Sequence, residues 1–213
     1  VDNNNLIDGN KMSKVPLVLF SGGLDSTYLV STLLQSGPVD VIYVNGGQCK
    51  DKIKCEIEAR DKLIEKFNTY YPYKIQGQYE IIDPVYLHTG SDKKWTQPNA
   101  WIQGVYRVLH VARHKAVYIG YVKDDGFAFG GAMRSLKKLW KNLLKVSFTG
   151  KHVSLKFPLK HLSKVEILEN LDKRLLDDGW VCELPVDGKH CKKCKPCKLM
   201  ELVLYDYKCR NGK

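Results

Sequence analysis

The stretch VPLVLFSGGLDSTYLV, residues 15–30, sets an apolar run directly before Ser21-Gly22-Gly23-Leu24-Asp25-Ser26-Thr27 and a helix-period run directly after it. PLVLF (16–20) reads as a buried strand, Ser26 to Ser36 as a helix stopped by Gly37-Pro38, and VDVIYV (39–44) as a second buried strand, so the unit is βαβ. In such a unit the turn after the first strand aims backbone N–H groups and the positive end of the helix dipole at one spot, which suits phosphate. Gly22 and Gly23 let the backbone come close to a ligand, and Ser21, Ser26 and Thr27 add hydroxyl donors. The turn is built for an anion.

The spacing lacks the lysine of Gly-x-x-x-x-Gly-Lys and the third glycine of Gly-x-Gly-x-x-Gly. Ser-Gly-Gly-x-Asp-Ser-Thr after a strand instead resembles the pyrophosphate (PP) loop of ATP-pyrophosphatases, which adenylate a substrate oxygen and release pyrophosphate. A carboxylate at Asp25 would repel phosphates unless a hard cation such as Mg²⁺ bridged them.

Further along, Asp51 to Phe67 has the period of an amphipathic helix, YEIID (79–83) reads as a strand, and residues 84–97 as a long loop. A helix is expected from Asn99 to His114, led by Pro98, then a strand AVYIGY (116–121) and a loop over 122–131. A basic helix Met133 to Val146, a strand VSLKFPL (153–159) and one helix from Ser163 to Asp178 complete the alternation, with Ser163 and Glu166 spaced as a capping box. Strands alternating with helices predict an α/β fold: a Rossmann-like parallel sheet flanked by helices.

The 213 residues carry a formal charge of +11, which calls for an anionic partner, although lysines crowded near the C-terminal cysteines can account for part of it. No apolar run reaches the roughly 18 residues of a membrane helix, so no membrane partner and a cytoplasmic location are expected. Residues 1–11 read as a leader or disordered arm, 12–178 as the nucleotide domain and 179–213 as a metal-binding subdomain.

Cys182, Cys191, Cys194 and Cys197 form C-x8-C-x2-C-x2-C, a spacing that brings four thiolates onto one ion. Structural Zn²⁺ is the expected occupant, with an iron–sulfur cluster as the alternative.

Together the loop and the cysteines resemble the 7-cyano-7-deazaguanine synthase (QueC-like) family. YVNGGQCKDKIKCEIEAR (43–60), QPNAWIQGVYRVLHVARHKAVYIGYV (97–122) and FPLKHLSKVEILENL (157–171) resemble further stretches of that family. Membership implies an adenine nucleotide alpha hydrolase-like fold, ATP with Mg²⁺, and a small C-terminal zinc subdomain built on the four cysteines. It also implies a ligase that turns 7-carboxy-7-deazaguanine and ammonia into the amide and then the nitrile. By this resemblance Asp25, Ser26 and Lys164 are catalytic. Phe20, Ser21, Gly22, Gly23, Leu24, Asp25, Ser26, Thr27, Asn45 and Gly120 would hold ATP and pyrophosphate, while Gln48, Glu56, Asn99, Asp124 and Phe127 would meet the substrate.

The chain departs from the family at Asn99-Ala100, where an Arg-Asn pair is usual, and at KDDGFAFGGAMRSL (123–136), where a Tyr-Pro-Asp run is common. Those departures fit a divergent member, such as a phage-encoded one in a host cytoplasm, that modifies its substrate differently, stops at the amide, or serves DNA modification in place of queuosine. A homodimer is the expected assembly. The competing readings are a PP-loop enzyme acting on a nucleic acid, favoured by the lysines of 137–145, and a non-catalytic nucleotide-binding homologue.

Overall fold

The computed structural model describes residues 15–45, 49–81, 96–109, 114–125, 131–146 and 152–212. Five parallel strands stand in the order β3-β2-β1-β4-β5: β1 (Leu17–Leu19), β2 (Val39–Val44), β3 (Ile75–Ile81), β4 (Ala116–Tyr118) and β5 (Ser154–Lys156). Val18 is in register with Val41 on one side and with Tyr118 on the other, so the first strand in sequence is the central one. Every residue of β1 and β2 is buried, as an apolar run covered on both faces requires, whereas edge strand β3 alternates in exposure.

Successive side chains along residues 17–20 feed two cores. Val18 and Phe20 pack with α1 (Leu24–Leu34), α2 (Lys50–Tyr70) and α5 (Lys164–Asn170), and Leu17 and Leu19 with α3 (Thr96–Leu109) and α4 (Ala132–Val146). On α4, Met133, Leu136 and Trp140 face the sheet, and the Trp140 indole N–H donates to the Val153 carbonyl at 2.8 Å. The last helix, α7 (Lys195–Arg210), buries Val203 in the first core, with Leu199, Met200, Leu204 and Tyr207 packed against it.

Several expected boundaries move. The strand expected over 79–83 begins at Ile75, and those expected over 116–121 and 153–159 hold only three ladder residues each. The helix expected to run to His114 is described as far as Leu109, and His114 itself is a buried bridge residue whose Nδ1 lies 3.0 Å from the Val15 carbonyl oxygen. The single helix of 163–178 is two. Leu171 is extended and Asp172 accepts from the Arg174 N–H at 3.0 Å, starting α6 (Lys173–Leu176). An aspartate caps a new helix better than it continues an old one, and the break lets both Leu171 and Leu175 enter the core. The capping box at Ser163 is present, with Glu166 N–H to Ser163 Oγ at 3.3 Å and Ser163 N–H to Glu166 Oε2 at 2.7 Å. Among the described residues no helix is long and apolar enough to cross a membrane.

Candidate functional site

The strand order reverses between β1 and β4, and a cavity of about 510 Å³ opens there beyond the carboxyl ends of β1, β2 and β4. Ligands of open α/β sheets bind at such a switch point. The glycine turn forms its floor. Gly22 has φ +77°, a conformation costly for any residue with a Cβ, and a Cβ there would lie 3.3 Å from the Arg60 nitrogen. No side chain caps Gly23 at the start of α1, so the N-terminal amides of that helix are left for a ligand. A Cβ on Gly120 would sit 3.3 Å from Asp25 and Ser26 backbone atoms, which explains a glycine at the end of β4.

Lys164, at the first turn of α5, reaches Asp25 Oδ2 at 2.5 Å and Asp125 Oδ1 at 3.4 Å. Three acids converge on this lysine, since Asp124 Oδ2 accepts from the Lys164 backbone N–H at 2.7 Å, and Asp125 Oδ2 from the Val122 N–H at 3.0 Å. The Asp25 carboxyl is pushed up to about 6, mainly by burial, with Lys164 opposing and Asp125 and Asp124 adding to the rise. Burial disfavours the Lys164 ammonium, but Asp25 and Asp125 outweigh it and its pKa is raised. Asp25 Oδ1 is buried without a hydrogen-bond partner. An unpartnered carboxylate oxygen in a cluster of three acids and one ammonium fits a hard cation. The structure thus adds a resident counter-ion, Lys164, to the bridging metal expected beside Asp25.

Of the residues assigned to ATP by resemblance, Phe20, Ser21, Gly23, Leu24, Asp25, Ser26 and Gly120 line the cavity. Gly22 lies behind the turn, its carbonyl accepting from the Trp180 N–H at 2.9 Å. Thr27 is buried with its hydroxyl unpartnered and lines a smaller void with Leu171 and Leu175, away from the phosphate side. Asn45 is buried beside the end of β3, its N–H donating to the Ile81 carbonyl at 2.9 Å, and is not among the lining residues. Gln48 and Phe127 lie outside the described residues; Asn99 falls in α3 and its side chain is not described. Glu56 lines the cavity but is engaged: Oε2 accepts from Tyr43 OH at 2.7 Å and Oε1 lies 3.6 Å from Lys52 Nζ. Burial raises its pKa, and burial beside Glu56 raises that of Tyr43 well beyond the phenol range.

Four cysteine sulfurs, those of Cys182, Cys191, Cys194 and Cys197, lie within 4.8 Å of one another. The Cys182 and Cys194 sulfurs are 3.9 Å apart, close to the roughly 3.8 Å that tetrahedral bonds of about 2.3 Å impose around one ion. A cubane cluster would spread the thiolates over four irons and hence wider. The Cys191 sulfur accepts from the N–H groups of Lys193 at 3.4 Å and Cys194 at 3.3 Å, and these donors hold its pKa down at about 6. Lys192, with φ +58°, makes the tight turn that points those amides inward. The donor set therefore fits a metal ion.

Sequence reading missed what this module does to the cavity. Trp180, Val181, Glu183, Lys195, Pro196 and Met200 form one wall of it, and Tyr121 and Lys52 were not foreseen elsewhere in the lining. The only sequence signal was the run of lysines around the cysteines, which reads equally well as charge compensation.

A parallel sheet in this order, with a Ser-Gly-Gly-x-Asp-Ser-Thr turn at its switch point, defines a PP-loop type of nucleotide fold. The family model described as QueC, queuosine biosynthesis protein QueC, matches residues 102–207, a span that holds Lys164 and all four cysteines. Over that span the chain is QueC-like. Among solved structures it is similar to the U34-tRNA thiolase NcsA from Methanococcus maripaludis with its [4Fe-4S] cluster, at TM-score 0.48 and 18% identity over 92% of this chain and 68% of that one. No curated protein matches it. The match supports an ATP-using enzyme, and the four cysteines of this chain form a site that could hold a metal ion.

Proposed function

We propose that the protein adenylates the carboxylate of 7-carboxy-7-deazaguanine with ATP, forming first the amide with ammonia and then 7-cyano-7-deazaguanine. The observation that carries this reading is the meeting of the uncapped N-terminus of α1 and the Lys164 ammonium, 139 positions apart in sequence, on one cavity at the switch point. The turn amides and Ser26 would bind the pyrophosphate portion of ATP, and Lys164 would balance the charge that grows as pyrophosphate departs. Asp25 holds that ammonium in place.

A carboxylate oxygen attacks the α-phosphorus and the bond to pyrophosphate breaks. Ammonia then displaces AMP, shedding a proton, to give the amide. In a second cycle the amide oxygen attacks the α-phosphorus of another ATP, and loss of AMP with the remaining nitrogen protons leaves the nitrile. Mg²⁺ held through Asp25, with Asp124 or Asp125, would supply charge neutralisation of the phosphates. Zn²⁺ is the proposed ion of the four cysteines, because thiolates this close suit a single tetrahedral centre.

A second reading, modification of a nucleic acid, is favoured by α4, whose exposed face carries Arg134, Lys137, Lys138, Lys141 and Lys145 and no acid. Incubation with ATP, Mg²⁺, ammonium and the deazaguanine acid, with acid, amide and nitrile separated by mass spectrometry, tests both. Conversion of the acid is expected; ATP turnover that requires added tRNA or DNA and ignores the acid would overturn the first reading.

A further inference from the structure

Asp124, the carboxylate expected to meet the substrate, is tied together with Asp125 to Lys164 and its helix. Glu56 is tied to Tyr43 and Lys52. A base in this cavity needs another recognition surface.

The cysteine module supplies one. Trp180 lines the cavity, and its ring is fixed twice: the indole N–H donates to the Cys182 carbonyl at 2.8 Å, and His190 stacks on it at 4.3 Å with 21° between the planes. Its backbone N–H is bonded to the Gly22 carbonyl, so this aromatic platform is coupled directly to the phosphate turn. Glu183, one residue beyond Cys182, also lines the cavity, is exposed, and forms no ion pair among the described residues. Lys195, one residue beyond Cys194, completes the wall at the start of α7.

We propose that Trp180, Glu183 and Lys195 form the acceptor subsite, so that the metal-binding module is the specificity element of the enzyme and not only a staple. The inference rests on the adenylation reading above and names what selects the acid. A guanine-type base offers adjacent N–H donors on its pairing edge, which one carboxylate accepts in a bidentate pair, and a π-face that stacks on an indole. Its 7-carboxylate is an anion brought towards a triphosphate, and an ammonium lowers that repulsion. Glu183 takes the edge, Trp180 the face and Lys195 the carboxylate. Because each sits within two positions of a cysteine ligand, metal binding orders all three at once.

The test uses the full chain with its metal and measures pyrophosphate release driven by 7-carboxy-7-deazaguanine and by the same acid lacking its 2-amino group. Glu183→Gln should raise KM for the acid tenfold or more, leave KM for ATP within about twofold, and reduce the preference for the amino-bearing acid by about tenfold. Lys195→Met should raise KM for the acid while leaving the inhibition constant of 7-deazaguanine, which has no carboxylate, unchanged. Melting temperature and metal content, measured alongside, separate these effects from misfolding; both side chains are exposed, so both variants should fold. If the wild type turns over the acid and both variants keep its KM and selectivity, the subsite is overturned while the adenylation reading stands. Should the wild type release no acid-dependent pyrophosphate, the adenylation reading itself is overturned, and the subsite with it.

Discussion

Asp25 should set the acid limb of the enzyme's pH profile, and its neighbours should move that limb in opposite directions. With its carboxyl at about 6, roughly nine-tenths is ionised at pH 7, about half at pH 6 and about a tenth at pH 5. If the ionised form is needed to hold Lys164 and a cation, kcat/KM for ATP should fall about tenfold between pH 8 and pH 5. Asp125 raises the Asp25 pKa and Lys164 lowers it. Asp125→Asn, which keeps an oxygen for the Val122 N–H, should therefore shift the limb to lower pH, and Lys164→Met should shift it to higher pH on top of any loss in rate. The assay is pyrophosphate release at low ATP and saturating Mg²⁺ without ammonia, so that ammonium titration does not enter. ATP titrates in the same range, which makes the difference between variants the readout. A limb that stays put in Asp125→Asn, or moves to higher pH, would refute the assignment.

Stripping the metal with a chelator, or Cys182→Ser, should disorder the wall that carries Trp180 and release its bond to Gly22; elemental analysis should then find no ion, and both the melting temperature and ATP affinity should drop together. Glu56→Ala leaves the Tyr43 hydroxyl and the Lys52 ammonium buried without their acceptor, so urea unfolding should show a loss of about 3 kcal/mol, against a smaller loss for Glu56→Gln. Ser163→Ala removes the cap that starts α5, costing about 1 kcal/mol by the same measurement. It should also raise KM for ATP, because that first turn positions Lys164.

Local features carried over from sequence to structure because they are local. The strand VDVIYV was readable to the residue from its mainly apolar run, and the Ser163 box from two residues, Ser163 and Glu166, that satisfy each other's amides. The cysteine spacing announced a cluster before any geometry was known. The end of the long helix was harder to read. Helical periodicity runs on past Asn170, and only the competition between continuing the helix and capping a new one at Asp172 ends it.

By itself the sequence determined the βαβ start, the anion-binding turn after β1 and the four-thiolate module, each a matter of neighbours along the chain. Tertiary structure alone decided which acid Lys164 meets, that Thr27 turns inward, and that Trp180, Glu183 and Lys195 close the cavity over Gly23 and Asp25. Such pairings join segments more than a hundred positions apart, where no periodicity or spacing carries information. They follow instead from the strand order, which brings the turn after β1, the acids after β4 and the first turn of α5 to the same end of the sheet, and from α7, whose packing on the first core holds the cysteine module there.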